Sequence, residues 1–283
     1  MIQTDYASNR PAALHTRNLE VTYETKDSAI RALRRNSLTL AQGAFVVLLG
    51  ASGAGKSTLL RTLNGLVRPT SGSVIAEGIG DLAERDALRR HRRQTGMVFQ
   101  QHHLIGRLSV LDNVLMGRLG YHSGCGTLMP WSRPEKELAL AAIERVGLLD
   151  RALQRADQLS GGQQQRVGVA RALVQKPRTL LADEPVASLD PATAERLLGL
   201  MHDICKTDGL TAVVSLHQVE FARRFADRII GLKGGAIVFD GTPDELTGEQ
   251  ATALYGGTSL AAVQPDDPLS FPFTRLQTAG ARI

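Results

Sequence analysis

The sequence predicts an α/β fold with a largely parallel sheet. Short apolar runs alternate with helical patterns along most of the 283 residues, a glycine-rich turn separates one such run from a helix, and an acidic pair ends another. In chain order the expected strands are Leu19 to Tyr23, Phe45 to Leu49, Met97 to Phe99, Thr179 to Ala182, Thr211 to Ser215, Arg228 to Leu232 and Ala236 to Phe239, each a short apolar run. Leu59, Leu60, Leu63, Leu66 and Val67 fall at helical spacing just after the glycine-rich turn, so a helix is expected from near Ser57, with Pro69 ending it. A second helix is expected over Pro134 to Val146. Ser132 and Glu135 are spaced as a capping box, Pro134 stands in the first turn and Gly147 follows the end. Thr242-Pro243-Asp244-Glu245 repeats that start signal, and Gly256-Gly257 then opens a tail with Pro265, Pro268 and Pro272 and weak periodicity. Residues 258–283 are expected to be a poorly ordered C-terminal tail, and residues 1–14 an N-terminal extension ahead of the domain.

Composition narrows the function classes. With 43% hydrophobic and 22% charged residues the chain can bury a sizeable core, which sets aside disordered and fibrous classes. Two cysteines, Cys125 and Cys205, are too few and too far apart for a disulfide framework or a metal knuckle, so a reducing compartment is expected and Cys125 reads as a free loop thiol. No apolar stretch approaches the ~20 residues needed to cross a bilayer. The strongest, Phe45 to Leu49, is broken at Gly50, and Met1 to Arg10 lacks the apolar block of a secretory signal, which points to the cytosol. The net charge of +5 is compatible with nucleic acid, an anionic small ligand or an anionic membrane surface. Arg89-Arg90-His91-Arg92-Arg93 carries no interleaved aromatic and reads as a solvated helix face, so no nucleic-acid partner is expected. Gln101, His102 and His103 lack the further spaced ligand that a metal cluster needs. No internal repeat or heptad array is visible.

The chemistry concentrates in three places. Gly50-Ala51-Ser52-Gly53-Ala54-Gly55-Lys56-Ser57 is a G-x-x-x-x-G-K-S loop between an apolar strand and a helix, the context this motif requires. Its glycines let successive N–H groups converge on phosphate oxygens, the helix start adds partial positive charge, Lys56 reaches the β- and γ-phosphates, and Ser57 can ligate Mg²⁺. Asp183-Glu184 follows the apolar run Thr179 to Ala182, at the strand end where an α/β sheet places its ligand. Alone, such a pair is ordinarily a solvated strand end. Behind a phosphate loop it reads as a Mg²⁺ ligand, Asp183, and a group that orients the attacking water, Glu184. Leu159-Ser160-Gly161-Gly162-Gln163 is a second glycine-rich turn opening a helix. One nucleotide does not need two anion-binding turns from one subunit, so the economical reading offers this turn to a partner's nucleotide.

Together these residues resemble the ATP-binding subunits of ABC transporters over roughly residues 15 to 257, with a helical subdomain over about 101–176. The resemblance implies a P-loop NTPase with a RecA-like core, an antiparallel β subdomain and a helical subdomain, and a head-to-tail dimer closing around ATP and Mg²⁺. It implies ATP contacts from Gly50, Ala51, Ser52, Gly53, Ala54, Gly55, Lys56, Ser57 and Thr58, with Tyr23 stacking on adenine. Ser57, Gln100 and Asp183 would serve Mg²⁺, and Glu184 and His217 would be catalytic. Ser160, Gly161, Gly162 and Gln163 would act on the partner's ATP, and Ser188 and Asp190 would touch the partner in the loop around Leu189. His217 follows the strand Thr211 to Ser215, which would bring its imidazole to the same sheet edge as Glu184.

Ala182 to Pro191, with Val186 and Ala187 where many relatives have Thr and Gly, looks like the variant found in phosphonate-type importer ATPases. His217-Gln218-Val219-Glu220 and Val114 to Gly120 fit the same variant. The implied cargo is phosphonate, phosphite or a related phosphorus oxyanion, and an amino-acid or other oxyanion importer is the alternative. Implied partners are a membrane permease and an extracytoplasmic binding protein acting through it, with this subunit peripheral on the cytoplasmic face of the membrane. A nucleic-acid-linked ABC ATPase would usually carry two cassettes or a long coiled coil, and a nonhydrolytic module would not need Lys56, Glu184 and His217 together. Gly124 to Pro130 and the tail after Gly257 do not align with the family pattern.

Overall fold

The computed structural model describes residues 11–24, 28–101, 103–122 and 130–256. A six-stranded sheet forms its centre, in the order β10 (Ala236–Gly241), β9 (Arg228–Lys233), β3 (Phe45–Leu49), β8 (Thr211–Ser215), β7 (Thr179–Ala182) and β6 (Thr95–Val98). All neighbours are parallel except β10, which pairs antiparallel with β9 at one edge. Every residue of β3, β7 and β8 is buried, because both faces of a parallel sheet are covered and its strands become continuous apolar runs.

Alternation sorts those side chains between two cores. Phe45, Val47, Leu49, Leu180, Ala182, Ala212 and Val214 face α5 (Gly161–Leu173) and α6 (Pro191–Asp208). Val46, Leu48, Leu181 and Val213 face α1 (Lys56–Leu63) and the second sheet. That sheet is antiparallel, in the order β2 (Ala29–Ala41), β1 (Ala12–Glu24), β4 (Ser71–Ala76) and β5 (Gly80–Asp81). It contributes Leu14, Leu19, Val21, Leu33, Leu38 and Leu40 to the core. Between β6 and β7 the chain makes a helical excursion containing α3 (Val110–Leu115), α4 (Arg133–Arg145) and α5. Val114, Leu115, Ala139, Ile143, Val167 and Ala170 pack together there.

Several boundaries differ from expectation for identifiable reasons. β1 starts at Ala12 and buries Leu14, so residues 12–14 belong to the sheet and not to a leading extension. Asn18, with φ 47°, interrupts the alternation that would have exposed this longer strand in the sequence. α1 stops at Leu63, well before Pro69, because Gly65 takes a left-handed conformation and Leu66 N–H turns back to the Arg61 carbonyl. Leu66 and Val67 therefore lie outside it. β6 covers Thr95–Val98, leaving Phe99 beyond the strand.

Ser132 is the N-cap of α4, as its spacing predicts, but the capping box stays open. Glu135 instead accepts from Arg118 Nε at 2.8 Å and lies 3.4 Å from His122 Nε2. The guanidinium beside it holds the Glu135 carboxyl below the usual carboxylate range despite its partial burial. After α7 (Val219–Phe225), the matching signal at Thr242 does close its box, on a single 3₁₀ turn over Pro243–Glu245, and α8 (Gly248–Leu254) follows. The basic run lies on α2 (Arg85–Arg93), as a helix face, with His91 turned inward against the Leu63 carbonyl at 2.9 Å. Cys125 and the tail from residue 257 lie outside the described residues. No helix among the described residues is long and apolar enough to cross a membrane.

Candidate functional site

The carboxyl ends of β3, β7 and β8 lie side by side. The Asp183 N–H donates to the Val98 carbonyl and the Leu216 N–H to the Leu48 carbonyl, so Gly50, Asp183 and Leu216 leave the sheet at one level. Two long-range strand pairings, β3 with β8 and β8 with β7, thus bring the phosphate loop, the acidic pair and His217 to one edge, where a parallel sheet with crossover helices receives ligands.

Close packing requires two of the loop glycines. Gly50 has φ 149°, and a Cβ there would lie 2.3 Å from the Leu232 carbonyl oxygen. Gly55 has φ 104°, and its Cβ would lie 2.6 Å from the Ala32 carbonyl oxygen of β2. Ser52 and Gly53 at the crown are exposed, while Ala54 and Lys56 are buried. The loop is therefore pressed against the protein at both ends and open at its crown, with Ser57 and Thr58 opening α1.

Lys56 donates to the Gly50 carbonyl at 2.8 Å and to the Ala51 carbonyl at 3.2 Å, and its Nζ lies 3.7 Å from Glu184 Oε1. Burial lowers its pKa from the ordinary lysine value, and Glu184 and Asp183 pull part of that back. Ser57 donates to Asp183 Oδ1 at 2.8 Å, Ser215 donates to the same oxygen at 3.0 Å, and Arg61 approaches Asp183 Oδ2 at 3.8 Å. The Ser57 hydroxyl beside a buried carboxylate forms an all-oxygen donor pair of the kind a hard divalent cation takes.

Glu184 has φ 47°, an uncommon conformation for a residue with a side chain. The Ser215 hydroxyl accepts its N–H at 2.8 Å, holding the backbone there. The carboxylate is thereby placed between Lys56 and His217, with His217 Nε2 2.5 Å from Oε1. Burial pushes the Glu184 pKa up, but His217 and then Lys56 more than offset it, and the net direction is downward. Glu184 is a carboxylate at neutral pH.

The remaining predicted residues stand elsewhere. Tyr23 is 41% exposed and pairs in register with Ile30, two residues before the Ala32 that touches Gly55. It thus offers an exposed ring on the hairpin that flanks the phosphate loop. Gln100 is exposed, two residues past β6 on the sheet's carboxyl side. Ser160 caps α5 in a closed box with Gln163, and a Cβ on Gly162 would lie 2.8 Å from Thr193 Cγ2 of α6. Asp190 caps α6 by accepting from Thr193 N–H at 3.0 Å, and Ser188 is exposed. Among the described residues no hydrogen bond or ion pair joins Ser160 to Gln163, or Ser188 and Asp190, to the phosphate loop. Within one chain, then, the structure gathers Gly50 to Thr58, Asp183, Glu184 and His217 and leaves the second glycine turn apart.

A sequence profile described as ABC transporter matches residues 33–187, more than half of the chain. This chain belongs to the ABC transporter family. Among curated relatives, Phosphonates import ATP-binding protein PhnC 2 of Cupriavidus metallidurans is 63% identical, the match covering 83% of this chain and 85% of the relative. Phosphite import ATP-binding protein PxtA of Stutzerimonas stutzeri is 56% identical, covering 91% and 93%. Among solved structures, the ATP-binding cassette MJ0796, determined as a dimer in a post-hydrolysis state with ADP and Pi, superposes with a TM-score of 0.72 at 36% identity, covering 81% of this chain and 98% of that one.

Two contacts around this site in the ABC transporter family chain have no motif signature in the sequence. Ser215, fully buried, ties Asp183 to the Glu184 backbone, yet in sequence it is only the last residue of an apolar strand. Tyr255 donates to the His217 carbonyl at 2.6 Å across 38 residues, a contact no local pattern signals. The polar residue ending a strand beside His217 was an available signal for the first.

Proposed function

We propose that this chain is the ATP-hydrolysing subunit of a binding-protein-dependent ABC importer for phosphonate, phosphite or a related phosphorus oxyanion. The observation that carries the proposal is Glu184, held as a carboxylate between Lys56 and His217 beside a phosphate loop. The names of the relatives from Cupriavidus metallidurans and Stutzerimonas stutzeri support the cargo class.

The chemistry assigned is attack of water on the γ-phosphorus of ATP, releasing ADP and phosphate. Backbone N–H groups of the loop and the start of α1 bind the phosphates, and Lys56 meets the β- and γ-oxygens. Ser57 and Asp183, with Gln100 from the neighbouring strand end, would hold Mg²⁺, which supplies charge neutralisation between the phosphates when bound. Glu184 accepts a hydrogen bond from the attacking water and aligns it, and His217 donates to the γ-phosphate or the water. Tyr23 stacks on the adenine.

Ser160 to Gln163 complete the site in trans, from a second copy of this chain in a head-to-tail dimer, with Ser188 and Asp190 at the seam. The dimeric cassette MJ0796 supports that assembly. The permease is assigned to a groove of about 1110 Å³ between the core and the helical excursion, lined by Asn64, Leu66, Arg89, Phe99, Met116 and Tyr121. Closure on ATP and opening after hydrolysis would then move that groove, since a ligand favouring one of two states shifts the equilibrium between them. The subunit sits on the cytoplasmic face of the membrane, and the binding protein acts through the permease.

The test is phosphate release by the chain assembled with its permease and binding protein, titrated with phosphite, a phosphonate, phosphate and an amino acid. Stimulation by a reduced phosphorus compound is expected. Stimulation only by the amino acid would keep the motor and discard the cargo.

A further inference from the structure

The last described helix reaches back into the site. α8 is anchored on the core at its C-terminal end: Ala251 and Leu254 are buried, and Lys233 Nζ donates to the Ala253 carbonyl at 2.7 Å, while Thr247 and Gln250 close its capping box. Leu254 packs onto β9 where Gly231 leaves room, since a Cβ at Gly231 would come within 2.7 Å of Leu254 Cδ2. Tyr255, directly after this helix, packs its ring partly buried against the hydrophobic core. Its hydroxyl donates to the His217 carbonyl at 2.6 Å and accepts from the Gly50 backbone, within electrostatic range of Glu184.

One phenol therefore joins the first residue of the phosphate loop to the turn that carries the imidazole. His217 lies two residues past the end of β8 on a turn, and Gln218, which follows it, is exposed. Rotation of the His217 peptide would swing the imidazole away from Glu184. A donor 2.6 Å from its carbonyl opposes that rotation, and it comes from an element outside the sheet.

We infer that Tyr255 is a positioning residue for hydrolysis, orienting His217 toward Glu184 through the His217 backbone and making the docked state of α8 a condition for full activity. The inference rests on the proposed role of His217. It follows that displacement of α8 from β9 would slow hydrolysis without a change at any residue that touches ATP.

The experiment compares Tyr255→Phe, His217→Ala and the double variant by single-turnover hydrolysis, with rates normalised to the nucleotide-binding fraction so that misfolding cannot imitate the effect. Tyr255→Phe keeps the packed ring and removes the hydroxyl. The expected result is a fall in the hydrolysis rate of about tenfold with the KM for ATP within about twofold, the size one positioning hydrogen bond gives. In the His217→Ala background the same change should have no further effect. A Tyr255→Phe rate equal to wild type, beside an inactive His217→Ala, overturns the inference and leaves the role of His217 standing. An equal loss in both backgrounds also overturns it, because Tyr255 would then act on something other than His217. A fully active His217→Ala removes the role of His217 and the inference with it.

Discussion

Ser57 donates its hydroxyl hydrogen to Asp183 Oδ1 across 2.8 Å, joining residues 126 positions apart. This bond ties the start of α1 to the end of β7 and sets the spacing between the phosphate loop and the acidic pair. Ser215 completes the frame from β8, so one helix start and two strand ends brace the site together.

Lys56→Ala should abolish productive nucleotide binding. Lys56 is buried on two carbonyl oxygens, and its Nζ lies 3.7 Å from Glu184 Oε1. Removing a charge-assisted phosphate contact together with these bonds should weaken ATP binding by about 100-fold or more. Titration calorimetry with ATP reads this directly, and an unchanged affinity would sink the assignment of the loop.

Ser215→Ala separates bracing from catalysis. The Glu184 N–H loses its acceptor while the backbone remains at φ 47°. The expected cost is about 1–3 kcal/mol of stability for an unsatisfied buried donor, with hydrolysis slowed by roughly tenfold. Denaturant unfolding and steady-state phosphate release measure the two. Wild-type values in both would show that Ser215 braces nothing.

The acid limb of stability carries a signature of Glu184. Its folded pKa is depressed, so its contribution is fully present above the unfolded carboxylate value of 4.5 and is lost as pH falls through the folded value. Lys56 has the opposite kind of shift for a base. Its folded pKa lies below 10.5, so its burial penalty is relieved only as pH rises through the folded value toward 10.5. The difference in melting temperature between the protein and Glu184→Gln should therefore shrink below pH 4.5. A constant difference down to pH 3 would mean that Glu184 gains nothing from Lys56 and His217.

Much of this site is legible in the sequence because its parts obey local rules. An apolar strand, a glycine turn and a helix start need no distant partner to be recognised, and Asp183-Glu184 and His217 each follow a strand that its own apolar run defines. What is hidden depends on distant residues. β2 carries Arg31, Arg34, Arg35 and Asn36 among Leu33, Leu38 and Leu40, so its apolar face is diluted by charge, and only its pairing with β1 makes it a strand. The open capping box at α4 is a competition that Arg118 wins from 17 residues away. α6, by contrast, carried plain signals that a search for apolar strands passes over: Asp190 as N-cap, Pro191 in the first turn and Gly209 past the end. The contact of Tyr255 with His217 lies wholly in tertiary packing.

Glu184→Gln tests the central claim, that a carboxylate held between Lys56 and His217 drives ATP hydrolysis. The substitution keeps the shape and removes the charge. Single-turnover hydrolysis should fall by about 100-fold or more. ATP with Mg²⁺ should then hold the variant as a dimer in size-exclusion chromatography. Hydrolysis within about twofold of wild type, a difference too small for a lost catalytic group, would contradict the account.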